Sequence, residues 1–179
     1  NYAKMLDEAE QSPVGSNNLF FLPYLTGERT PHSDPYARGS FIGLTAAHTR
    51  GDMTRAVMEG IVFALYDSYN LADGLNPDTI RIIGGGAKSE LSRKILTDVF
   101  NIKSEVLAIQ EGPSYGAALL ALFGTENEKN MDEKLKEIVK ITDVIEPDLE
   151  NQKKYQKRYE VYIRLYKALK NEFFEISRL

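Results

Sequence analysis

The residues best suited to chemistry lie between Thr79 and Phe100, in the stretch TIRIIGGGAKSELSRKILTDVF. Gly84, Gly85 and Gly86 stand in a row between two different patterns. Before them Thr79, Ile80, Arg81, Ile82 and Ile83 make a short, largely β-branched run with one charge. After them Leu91, Ile95, Leu96, Val99 and Phe100 recur at helical spacing behind Ser89, a favourable N-cap. Strand, glycine turn and helix N-terminus together let backbone approach a ligand. Glycine has no Cβ to block the approach and admits positive φ. The first N–H groups of a helix lack internal partners, and with the helix dipole they suit an anion or a polar group. A strand-to-helix turn of purely architectural use has the same pattern, so on these residues alone binding and architecture are equal readings. Neither G-x-G-x-x-G nor G-x-x-x-x-G-K-[ST] occurs, which leaves a Rossmann or P-loop assignment without support.

Several elements must position this turn. Ser104–Ile109 reads as a second strand, Glu111-Gly112-Pro113 as a turn, and Ser114 as the cap of a helix, YGAALLALFG. Gly116, Ala117, Ala118 and Ala121 give that helix a small-residue surface. Strand, helix, strand, helix in this order predicts βαβ units and a parallel sheet, an α/β fold. Upstream, Tyr2–Glu10 is helical, Gln11–Asn18 is a loop, and Leu19–Leu25 is an apolar strand whose Pro23 marks an edge or exit. Thr26–Thr45, with two prolines, three glycines and four charges, is a long loop of the kind that is often functional. Within it His32 is expected on the surface, and Glu28 is expected to pair with Arg29. Asp52 is expected to cap a helix that runs to about Gly74. That helix is apolar nearly all round from Val57 to Leu65 except at Glu59, whose carboxylate would need a buried partner. Met131–Ile141 reads as a short amphipathic helix, and Pro147 and Asp148 open the last one. There Tyr155, Tyr159, Tyr162, Tyr166, Leu169, Phe173 and Ile176 alternate four and three residues apart. Such a seam fits a coiled coil or, more commonly, docking of a terminal helix. Lys153, Lys154, Lys157 and Arg158 read as a solvated face.

At 179 residues the chain is long enough for a real core. Its net charge of −4 and pI near 5.3 argue against nucleic acid or an anionic membrane as partner. It has no cysteine, which excludes disulfides and thiolate metal sites and fits a cytoplasmic protein. No apolar run approaches membrane-spanning length. There is no HExxH, no calcium-spaced carboxylate run and no G-x-S-x-G.

Three blocks together resemble the C-terminal part of the FGGY family of carbohydrate kinases. They are FLPYLTGERTPHSDPYARGSFIGL (Phe21–Leu44), continuing through His48 into MTRAVMEGIVFAL; IIGGGAKSE (Ile82–Glu90), similar to the adenosine motif of actin-like ATPases; and EGPSYGAALLA (Glu111–Ala121). The resemblance implies a ribonuclease-H-like, actin-like ATPase domain, with residues 1–145 as its nucleotide side and 146–179 as a C-terminal amphipathic helix. It implies ATP with Mg2+ as cofactors, ADP and a small sugar as ligands, and a separate N-terminal kinase domain as partner. GERTPHSDP tilts the sugar towards xylulose over gluconate or glycerol. By the same likeness Gly84, Gly85, Gly86 and Ala87 lie against the adenosine and its nearest phosphate, while Lys88, Ser89 and Glu90 frame the ribose and adenine. The family's phosphate loops, main sugar contacts and general-base aspartate have no match here. The isolated chain is therefore expected to be nearly inert and to have no catalytic residue or metal ligand of its own. Without the other domain the Tyr155–Ile176 seam is expected to be exposed or to drive a homodimer. The rival reading is a non-catalytic binding or assembly module that keeps an actin-like half-fold.

Overall fold

The computed structural model describes residues 1–109, 112–125 and 131–179. In chain order the elements are α1 (Tyr2–Gln11), β1 (Phe20–Leu22), β2 (Ser40–Ile42), α2 (Arg50–Tyr69), β3 (Thr79–Ile82), α3 (Glu90–Phe100), β4 (Lys103–Leu107), α4 (Gly112–Thr125), α5 (Met131–Ile138), β5 (Ile141–Ile145) and α6 (Leu149–Ile176). They form two compact units. The first comprises Asn1–Asn76, Asp98–Asn101 and Asp148–Leu179, the second Pro77–Thr97 and Ile102–Pro147.

In the first unit β1 and β2 pair antiparallel, and α2 lies across β1. A Cβ on Gly60 would strike the Phe21 carbonyl, so the helix comes this close only because residue 60 is glycine. The cap of α2 is Thr49, not Asp52. The Thr49 hydroxyl accepts the Asp52 N–H at 3.2 Å, and the Asp52 carboxylate accepts the Thr49 N–H at 2.8 Å, a capping box. The helix ends at Tyr69 rather than Gly74.

Asp52 also accepts Ser12 Oγ at 2.6 Å and Asn17 Nδ2 at 2.8 Å. Burial alone would push its carboxyl up, but these bonds and those from Thr49 outweigh it and hold the group at about 2. A folded-state value below the ordinary 3.8 contributes stability that is complete above about pH 4 and lost as pH falls towards 2. Comparing melting temperatures with an Asp52→Asn variant tests this. The gap between the two proteins should be widest above about pH 4 and close near pH 2. A gap that stays constant across that range would show that Asp52 has no such role.

The long loop is more tightly tied than its composition suggests. Glu28 and Asp34 exchange two backbone hydrogen bonds of 2.8 Å. The Glu28 carboxylate takes the Thr30 N–H at 3.1 Å, and no Glu28–Arg29 ion pair forms among the described residues. His32 is not a surface histidine. Its ring stacks on Tyr166 at 3.5 Å, and its Nε2 lies 3.3 Å from Tyr24 Oη and 3.6 Å from an Asp67 oxygen. Burial pushes this imidazole below its usual range, against the pull of Asp67 and Glu28.

Most of the α6 seam is covered by the chain itself, contrary to the expectation of exposure. Tyr155, Tyr159, Tyr162, Tyr166 and Phe173 are buried, and only the end of the seam, with Ile176, is exposed. Phe63 of α2 meets the rings of Tyr155, Tyr159 and Tyr162 at 5.3–6.1 Å. The ground for self-association through this face is thereby removed.

In the second unit the strand order is β3-β4-β5. β3 and β4 are parallel, with Thr79 opposite Lys103 and Ile82 opposite Val106, and α3 makes the crossover. β5 runs antiparallel to β4, so the sheet is mixed rather than wholly parallel. α5 stops at Ile138, before the expected Ile141, because the residues that follow pair with β4. α4 begins at Gly112, which places Ser114 in its first turn; Glu111 lies outside the described residues. Among the described residues no helix is long and apolar enough to cross a membrane.

Candidate functional site

The three glycines leave β3 as the sequence pattern requires, but they are not alike. Only Gly84 has a positive φ, at +83° with ψ −163°, a conformation that L side chains avoid. Gly85 and Gly86 enter a 3₁₀ turn, Gly85–Lys88, closed by Ala87 N–H to Gly84 O at 3.1 Å and Ser89 N–H to Gly86 O at 3.4 Å. A Cβ built on any of the three meets no protein atom within 4 Å. Gly84 needs to be glycine for its backbone, whereas Gly85 and Gly86 leave open space that a side chain would fill.

The expected site residues divide into two faces. Gly84, Gly85, Gly86, Lys88 and Glu90 are exposed, while Ala87 and Ser89 are buried. Ser89 caps α3 as predicted, its Oγ accepting the Ser92 N–H at 3.2 Å. The N–H groups of Glu90 and Leu91, in that same first turn, have no carbonyl of the helix behind them to reach. Ala87 is enclosed, backbone included, with its N–H given to the Gly84 carbonyl at 3.1 Å. A Cβ on Gly112 would run into Ile83, so the first turn of α4 abuts the chain just ahead of the turn. The structure also adds Arg93, which the sequence reading passes over. Its Nη1 donates to the Ala87 carbonyl at 2.8 Å. The signal was its position one helical turn after Ser89, from which a side chain points back over the N-terminus.

Free space at Gly85 and Gly86 stands beside the N-terminus of α3, an arrangement that suits a neutral or anionic polar group. Among the described residues no group of three or more His, Asp or Glu side chains is placed to hold a metal ion.

The profile of the FGGY family of carbohydrate kinases, C-terminal domain, matches residues 2–125. The chain belongs to this family. A xylulose kinase of Staphylococcus epidermidis is 42% identical over 172 residues, which is 95% of this chain and 35% of that protein. Among solved structures, a ligand-bound xylulose kinase and a gluconate kinase, both from Lactobacillus acidophilus, each superpose with a TM-score of 0.88 at 35% identity over 98% of this chain and 36% of theirs. Plasmodium falciparum glycerol kinase with ADP superposes with a TM-score of 0.75 at 25% identity, over 92% of this chain and 33% of its own. The fold is thus the actin-like ATPase fold of FGGY sugar kinases, and the chain spans about a third of the length of these relatives.

Proposed function

We propose that this chain is the nucleotide-side part of an ATP-dependent sugar kinase, and that the whole protein transfers the γ-phosphoryl group of ATP to a hydroxyl of a ketose, D-xylulose giving xylulose 5-phosphate. The observation that carries the reading is the open glycine turn, where Gly85 and Gly86 face unfilled space beside the N-terminus of α3. The ADP of the related glycerol kinase supports a nucleotide as the occupant. When bound, ATP supplies the phosphoryl group, and the contribution of this chain is to bind and orient. Backbone of Gly84–Gly86 would lie along the adenosine and its nearest phosphate, with Lys88 and Glu90 framing the ribose and adenine, while the buried Ala87 and Ser89 would shape the turn beneath them. Positioning and electrostatic stabilisation dominate this chemistry, so a correctly held nucleotide is itself a catalytic contribution. The described residues supply no ligand set of their own for Mg2+. The general base and the phosphate loops belong to the whole protein, as does cytoplasmic activity on the sugar. Xylulose is preferred for the 42% identity to a xylulose kinase; the gluconate and glycerol kinases are the competing specificities.

Gly86→Val in the whole protein tests the turn. Its φ is not positive, so the valine side chain should be tolerated by the fold while projecting into the space reserved for nucleotide. The KM for ATP should rise about tenfold or more, equivalent to roughly 1.4 kcal/mol, with the sugar KM nearly unchanged. An unchanged ATP KM in a folded variant would remove the nucleotide from this turn. Comparing kcat/KM for D-xylulose, gluconate and glycerol decides the sugar, and a higher value for either of the others would displace xylulose.

A further inference from the structure

We propose that Arg93 is a positioning residue for the glycine turn, a role that rests on the nucleotide reading above. Arg93 lies on α3, its side chain is 16% exposed, and its guanidinium folds back to the Ala87 carbonyl at 2.8 Å through Nη1. Nη2 stands 3.7 Å from an Asp143 carboxylate oxygen on β5. Nε is buried and makes no hydrogen bond. An orphaned buried N–H is costly. The side chain therefore keeps a pose that serves the turn and β5 at the expense of its own satisfaction.

The turn needs such a restraint. It is closed by bonds of 3.1 and 3.4 Å, and its outer face has no protein around it. Ala87, by contrast, is fully buried, and its carbonyl belongs to a planar peptide group. Fixing that oxygen orients the whole link between the glycines and the Ser89 cap. Arg93 does so from behind, and Asp143 holds the guanidinium from β5. The geometry of the open face, Gly84–Gly86, is thus set by a cation bonded to the buried end of the turn.

The test uses the whole protein with Arg93→Ala, Arg93→Lys and Asp143→Asn, and Gly86→Val as reference. Calorimetric titration with ADP, the sugar KM, the melting temperature and amide exchange of Gly85–Ser89 without nucleotide are measured together. Arg93→Ala should weaken ADP about tenfold, the scale of one charge-assisted hydrogen bond. It should also speed exchange at the turn and leave the sugar KM unchanged. Arg93→Lys should restore part of the affinity. Asp143 is half exposed, so Asp143→Asn should cost only about twofold. Unchanged ADP affinity in folded Arg93→Ala, or equal losses for ADP and sugar together with a lowered melting temperature, would overturn the role. Should Arg93→Ala fail to fold, Arg93→Lys decides, and unaltered affinity there would overturn it equally. If Gly86→Val weakens ADP and the Arg93 variants do not, the positioning role alone fails. If neither does, the nucleotide reading fails and this role with it.

Discussion

Glu59→Ala should remove about 3–5 kcal/mol of stability, the cost of breaking a buried ion pair from one side. Against a typical domain stability of about 5–15 kcal/mol, that is enough to leave the first unit marginal at 37 °C. Glu59 is 2% exposed, and its two oxygens gather four donors. Oε1 accepts the Gly15 N–H at 2.9 Å, Arg55 Nε at 2.9 Å and Tyr155 Oη at 3.1 Å, and Oε2 accepts Ser16 Oγ at 3.0 Å. Arg55 in turn donates to the Ser12 carbonyl at 2.7 Å and to Tyr155 Oη at 3.2 Å. The carboxylate thus ties the Ser12–Ser16 loop, α2 and α6 at one point. Deleting it leaves a buried cation, a backbone N–H and two hydroxyls short of an acceptor. Glu59→Gln keeps the shape but turns an NH2 towards donors, so it should fall between wild type and alanine. The hub also predicts that Arg55→Met with Glu59→Met stays destabilised, because Gly15 and Ser16 remain unsatisfied; for a simple pair the double change would be close to neutral. Urea unfolding followed by hydrogen exchange in Arg50–Tyr69 reads the first unit separately. A loss below about 1 kcal/mol for Glu59→Ala would show that water or relaxation replaces the carboxylate.

The need of Glu59 for a partner was legible in the sequence, but the partners were not. Only Arg55, four residues before it on the same helix, could be reached by local spacing. Gly15, Ser16 and Tyr155 arrive from segments that only the fold brings together. The same division runs through the rest of the chain. The strand–glycine–helix pattern is local, so β3, the turn, the Ser89 cap and α3 could be placed from residue order alone. β5 could not. Ile141, Thr142, Val144 and Ile145 favour a strand, but Asp143 interrupts them and a helical pattern leads in. What makes them a strand is the free edge of β4. His32 was misplaced for a similar reason, since the ring that covers it, Tyr166, lies on α6 at the far end of the sequence. The glycine run was legible as a turn without side chains, and Gly85 and Gly86 do face open space. Residue order could not say which glycine uses its freedom; only Gly84 has a positive φ, because a 3₁₀ turn follows at once.

Tyr162→Ala should cost the first unit about 3–5 kcal/mol, and Tyr162→Phe only about 0.5–1.5 kcal/mol. The difference between the two separates the seam's packing from its polar end. Tyr162 is fully buried, its ring lies 5.3 Å from Phe63, and its hydroxyl shares a 3.0 Å hydrogen bond with Tyr24. Burial drives the Tyr162 hydroxyl far above its ordinary range and pushes Tyr24 up to about 12, so both stay neutral at any ordinary pH. Phenylalanine removes one neutral hydrogen bond and keeps the ring, whereas alanine opens a cavity between α2 and α6. The neighbouring tyrosines cannot collapse into it, because each is anchored at its own hydroxyl. Tyr159 donates to Asp67 at 2.6 Å, and Tyr166 donates to Asp34 at 2.8 Å. These anchors also fix the register of α6, so the helix cannot slide to refill the space. Because the seam is covered within the chain, sedimentation should give the same association state for wild type and Tyr162→Phe, and amides near Tyr155–Tyr166 should exchange slowly in wild type. Concentration-dependent protection of those amides, or a dimer that dissociates in the Phe173→Glu variant, would mean that a second copy covers the seam.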